Sequence, residues 1–135
     1  MGSGSMTHAR IFLVTSIWLA ACEGPAAPGS CPSVIRRAIE VEVTDARTGQ
    51  PAAAGASGFV RDGAYTEPLR VVGWRGTAPN DTAITLGAGE GRVGTYDVRV
   101  ERAGYGAWER QGVTPRVGVC GVQTMQLRAV LTPTS

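Results

Sequence analysis

The chain has 135 residues with 13 basic and 11 acidic side chains, and every basic one is arginine. A net charge of +2, with arginines and acids interspersed, makes no field that would concentrate a polyanion, so nucleic acid is not expected as a partner. The length allows one domain of roughly 100 residues behind an export segment, and 19 glycines with 8 prolines argue for turns and against long helices.

Residues 1–5, Met-Gly-Ser-Gly-Ser, read as a leader or an expression scar, with Met6 as the initiator. Residues 6–21 read as a signal peptide: His8 and Arg10 precede an apolar run over 11–19, and the small residues Ala20 and Ala21 stand directly before Cys22. The run is too short to cross a bilayer, which takes about 20 apolar residues. Leu19-Ala20-Ala21-Cys22 resembles the lipobox of bacterial lipoproteins. The resemblance implies cleavage before Cys22, transfer of a diacylglyceryl group to its thiol, and N-acylation by a chain such as palmitate. Cys22 is thus the candidate lipidation site, with two or three acyl chains enough for a stable membrane anchor. Ordinary secretory cleavage after Ala20 or Ala21 is the alternative and would leave Cys22 a plain thiol. Glu23 departs from the Asp that retains some lipoproteins at the inner membrane, so the resemblance implies the outer membrane of a Gram-negative envelope.

Residues 22–30 combine the lipidated cysteine with a tether, Glu-Gly-Pro-Ala-Ala-Pro-Gly-Ser, that has no apolar periodicity. Its reach is under about 30 Å. Of three cysteines, acylation of Cys22 would leave Cys31 and Cys120 as a disulfide pair, closing a long loop.

The folded part is expected over residues 31–135. Residues 38–45 alternate, with Ile39, Val41 and Val43 on one face and Glu40, Glu42 and Thr44 on the other. Thr48-Gly49-Gln50-Pro51 then reverses the chain or moves it to another sheet. Strands are expected at 57–61 and 64–72 around the hairpin dipeptide Asp62-Gly63, and at 81–86. Residues 94–102 alternate as clearly as the first strand, with Tyr96, Val98 and Val100 inward. Ala103-Gly104-Tyr105-Gly106 turns into 108–113, and 119–131 closes the domain with Met125, Leu127, Ala129 and Leu131 sharing a face. The expected fold is all-β, an antiparallel sandwich of about seven short strands of the Ig-like or transthyretin-like kind.

Three stretches carry a family resemblance. Val43-Thr44-Asp45-Ala46-Arg47-Thr48-Gly49-Gln50-Pro51 is similar to a Val-x-Asp-x-x-Thr-Gly-x-Pro strand and turn, and Asp62-Gly63-Ala64-Tyr65 to an Asp-Gly-x-aromatic hairpin. Gly94-Thr95-Tyr96-Asp97-Val98-Arg99-Val100 with Gly104-Tyr105 is similar to a Gly-x-Tyr-x-Val-x-Val strand ending in Gly-Tyr. Together they resemble the carboxypeptidase regulatory-like domain, a transthyretin-like sandwich. That resemblance implies fold and not activity, because its motifs are turn and core positions. Residues 66–93, with Trp74 and Pro79, are longer than the family's usual spacing and imply an extra hairpin or a functional loop.

Catalytic chemistry is not expected. The one histidine, His8, lies in the leader, so no imidazole remains for a metal, a triad or a proton shuttle. Asp62 with Glu67, and Glu40 with Glu42, read as solvated strand faces in preference to acid–base pairs or Ca²⁺ ligands. Gly87-Ala88-Gly89-Glu90-Gly91 lacks the lysine and helix of a phosphate loop and reads as a turn. No cofactor and no metal are expected. Trp74, Trp108 and Tyr65 are the candidate ligand contacts, with glycan or peptide as the chemistry they suit. The row Arg99 and Glu101 is a candidate for pairing with a partner's strand. The functional expectation is a lipid-anchored, non-catalytic interaction or structural module with a protein partner in the envelope; the alternative is a carbohydrate-binding module using exposed aromatics.

Overall fold

Strict alternation makes the first strand, β1 (Arg37–Asp45), which buries Ile39, Val41 and Val43 while Glu40 and Glu42 stay at the solvent side. The computed structural model describes residues 29–76 and 82–135, and Cys31–Ser135 is a compact unit. After β1 come β2 (Ala56–Asp62), β3 (Tyr65–Pro68), β4 (Arg70–Arg75), β5 (Thr82–Glu90), β6 (Tyr96–Arg102) and β7 (Trp108–Val113). The short β8 (Val117–Gly118) and β9 (Gly121–Val122) and the long β10 (Met125–Leu131) complete the chain.

Two four-stranded sheets, in the orders β10-β1-β5-β4 and β3-β2-β6-β7, form a β-sandwich, with β8 and β9 as a separate hairpin. Their facing sides merge in one core: Ile39, Val41, Val43, Leu86, Ala129 and Leu131 come from the first sheet, and Val60, Tyr96, Val98 and Val100 from the second. All of these residues belong to the unit Cys31–Ser135. Tyr96 is fully buried and donates its hydroxyl to the Arg92 carbonyl at 2.8 Å, which satisfies the one polar atom it takes inside.

The structure departs from the sequence expectation in four places. The sandwich is not wholly antiparallel: β10 runs parallel to β1, in register from Ile39 opposite Met125 to Asp45 opposite Leu131. The reason is topological, since β7 delivers the chain to the end where β1 begins, and β10 then starts from that end. Residues 64–72 are not one strand. The chain leaves the second sheet at Pro68 and enters the first at Arg70, with Leu69 buried between them and its N–H bonded to the Gly58 carbonyl at 2.9 Å.

The glycine segment expected as a turn lies mostly in β5, which runs to Glu90. Small residues are required there because a Cβ on Gly87 would come within 3.0 Å of Val72 and 2.9 Å of Arg37, and one on Gly89 within 2.9 Å of Ala38. Residues 119–131 are likewise not one strand. Cys120 sits in the turn of the β8–β9 hairpin, ahead of β10, so the bridge that ties it to Cys31 joins the domain's entrance to that hairpin.

Candidate functional site

A cluster of hydrogen-bonded polar side chains lies at each end of the sandwich. At the entrance end, where β1 begins, Cys31 and Cys120 are disulfide-bonded across a sequence separation of 89, with Cα atoms 5.2 Å apart. At the same end the β2–β3 hairpin brings Asp62 to Arg92 at 2.8 Å, and the Arg92 guanidinium lies 3.9 Å from the centre of the Tyr65 ring. Glu67 accepts the Tyr65 hydroxyl and, at 3.0 Å, the Gly89 N–H. Hydrogen bonding to Glu67, aided by desolvation, pushes the Tyr65 phenol up to about 12. Asp62 and Glu67, the carboxylates weighed as an acid–base pair, are thus each held by a partner of their own. Glu40 and Glu42 are held too, by Gln126 at 2.7 Å and Arg128 at 3.6 Å.

At the far end Asp45 organises the turn after β1. Its Oδ1 accepts the N–H groups of Arg47 at 2.7 Å and Thr48 at 3.0 Å, and its Oδ2 accepts the Tyr105 hydroxyl at 2.7 Å from 60 residues away. The Tyr105 bond, then the Thr48 N–H, lower the Asp45 carboxyl to about 2. Gly49 follows with φ +68, the conformation that makes glycine the fitting residue in Thr48-Gly49. The same end holds the C-terminal segment, through Gly106 N–H to Thr132 O and Thr134 N–H to Gly104 O.

The three candidate aromatic contacts do not converge. Tyr65 on β3 and Trp108 on β7 occupy opposite edges of one sheet, edges that lie three strand spacings or roughly 14 Å apart, and they stand at different levels along it, Tyr65 opposite Asp62 and Trp108 opposite Val100. Both are half-buried against the core. Trp74 is on β4, the edge of the other sheet, opposite Ala83, and is 56% exposed. Pro79, in the same long stretch over 66–93, lies outside the described residues, as does Cys22. Arg99 and Glu101 are not on a strand edge: β6 is hydrogen-bonded to β2 and β7 on its two sides.

The solvent face of the second sheet carries a shallow groove of about 120 Å³ that the sequence reading missed, lined by Phe59, Arg61, Asp97, Arg99, Glu109 and Gln111. Its charges neutralise one another. Arg99 pairs with Glu101 and Glu109, the Arg61 guanidinium stands 5.1 Å from the Phe59 ring centre, and Asp97 accepts the Gly112 N–H at 3.1 Å. The signal was present in sequence as the outward alternate positions of three strands, polar except for Phe59, but strand order was needed to set them side by side. The arrangement offers hydrogen bonds and one aromatic surface, with no nucleophile next to a base. No family model matches the chain, and no curated protein is significantly similar to it.

Proposed function

We propose that this chain is a lipid-anchored, non-catalytic module of the bacterial cell envelope, held by acylated Cys22 and presenting a carboxypeptidase regulatory-like sandwich. The observation that carries the proposal is the Cys31–Cys120 bond, which accounts for two of the three cysteines and leaves Cys22, directly behind Leu19-Ala20-Ala21, for the lipid. The pairing of Asp62, Glu67, Glu40 and Glu42 with structural partners supports a binding or structural role over catalysis. Intact mass of the protein from the membrane fraction tests the anchor. The expected species begins at Cys22 and carries diacylglycerol and a further acyl chain, and Cys22→Ala should release the chain from membranes. An unmodified Cys22, or cleavage elsewhere, would end the proposal.

The second reading, a carbohydrate-binding module, draws on Trp74, the most exposed aromatic among the described residues. It expects glycan binding that is lost in Trp74→Ala while the fold persists. Binding indifferent to that substitution, or none across a glycan array, would remove it.

A further inference from the structure

Apolar residues that the core does not use collect at the entrance end. Val34 and Ile35 precede β1, Val93 lies in the β5–β6 connection, and Val117 and Val119 belong to the β8–β9 hairpin; all five are more than half exposed, and Val119 at the hairpin tip is 96% exposed. The elements bearing them are held together. The disulfide joins Cys31 to Cys120, next to Val119; the Gly91 N–H bonds the Arg36 carbonyl at 2.8 Å; and a groove of about 210 Å³ runs between Arg36 and residues 118–123. Arginines adjoin the patch, Arg36 directly after Ile35 and Arg116 directly before Val117. Arg37 is paired with Glu90 and Arg92 with Asp62, but Arg36 and Arg116 are exposed and have no acidic partner among the described residues. With Glu67 counted at the same end, these four arginines stand against three carboxylates, Asp62, Glu67 and Glu90, which leaves a surplus of one positive charge.

We infer that this end of the sandwich is a membrane-seating surface, in which Val119, Val117, Ile35, Val34 and Val93 enter the headgroup boundary of a bilayer and Arg36 and Arg116 meet anionic lipid phosphates. The inference rests on the anchor proposed above, which selects the occupant. The chain enters the domain at Cys31, within this patch, and the nine residues from Cys22 to Ser30 span at most about 30 Å, so an anchored domain meets lipid first with this end. Apolar tips flanked by arginine fit a surface that is apolar below and anionic at its rim. Trp74, on the β4 strand whose last pair, Arg75 with Thr82, closes the opposite end, then points its end of the domain away from the bilayer.

The test separates the surface from the lipidation. Residues 23–135, which include the whole core and the disulfide, are held by an N-terminal polyhistidine tag on a nickel-chelating lipid in vesicles of phosphatidylethanolamine and brominated phosphatidylglycerol. Tryptophan is introduced at Val119 or, as a reference, at Val130, an exposed position on β10. Over the background of the native tryptophans, Val119→Trp should be quenched by the brominated chains at least roughly twice as strongly as Val130→Trp, consistent with burial about 5–10 Å into the interface. Arg36→Glu with Arg116→Glu should reduce that quenching. Equal quenching of the two tryptophans overturns the seating surface and leaves the Cys22 anchor to its own mass measurement.

Discussion

Asp45 shows how one carboxylate fastens two turns. With Tyr105 and two backbone N–H groups on it, the carboxyl is lowered from 3.8 to about 2, so its folded form prefers the charge more than the unfolded chain does. A depressed pKa contributes stability above the unfolded value and loses it as pH falls through the folded one. The contribution is therefore whole at neutral pH and disappears between about pH 4 and pH 2. Asp45→Asn keeps an acceptor for Arg47 and Thr48 but turns an amide donor towards Tyr105. Its urea midpoint should lie below that of the parent at pH 7, and the gap should close as both are titrated to pH 2. Tyr65 works in the opposite direction at the other end. Its phenol, raised from 10.0 to about 12 chiefly by Glu67, favours the protonated folded state. That contribution is complete below pH 10 and is lost as pH rises towards 12. Tyr105, raised by its bond to Asp45, adds to the same alkaline loss. Tyr65→Phe should flatten the fall in stability above pH 10 without removing it, as followed by the denaturation midpoint against pH.

Glycines separate two kinds of constraint at the level of the strands. Gly58 on β2 has ordinary backbone angles, yet a Cβ there would collide with the Arg99 carbonyl of β6 and come within 2.9 Å of Leu69 Cδ1. Gly63 in the hairpin has φ +59 and nothing within 4 Å of its would-be Cβ. Gly58→Ala must push two paired strands apart and is expected to cost about 2–3 kcal/mol, while Gly63→Ala pays only for left-handed backbone, about 1 kcal/mol. Equilibrium denaturation of the two variants checks the order; equal losses would refute the collision. The same elements explain which parts of the fold were legible in sequence. β1 and β6 bury one face and bare the other, so their alternation located them, and the Thr48-Gly49 and Ala103-Gly104 turns announced their ends. The passage from β3 to β4 was not legible, because Leu69 keeps the apolar rhythm going while the chain changes sheets. The strand character of Gly87 and Gly89 was hidden as well, since their smallness answers to Arg37, Val72 and Ala38, residues distant in sequence. For the candidate site, the cysteine count gave the Cys31–Cys120 pair, but no local pattern could show that Trp74, Trp108 and Tyr65 would fall on three separate sheet edges.

The disulfide matters to the molecule as a whole because it closes nearly the entire folded unit while touching little of its core. In the chain-entropy model a loop of this length constrains the unfolded state by about 4 to 5 kcal/mol, against a total of about 5 to 15 kcal/mol for a domain of ordinary stability. Reduction should therefore lower the denaturation midpoint strongly and still leave the sandwich folded, since β1 remains paired to β5 and β10 over its length. The local response should be unequal. The β8–β9 hairpin has only two residue pairs and one buried side chain, Val122, so Cys120 is its principal attachment to the entrance of the chain. Hydrogen exchange after reduction should show amides of residues 117–122 losing protection first, while those of β1 and β6 stay slow. Because Val117 and Val119 ride on that hairpin, the reduced protein should also lose the membrane quenching of Val119→Trp, an effect the sheets cannot mask. A reduced protein whose hairpin stays protected would mean that Val122 packing and the Gln123 N–H bond to Arg116 O, at 2.8 Å, suffice to hold it, and the seating surface would then be independent of the redox state of its surroundings.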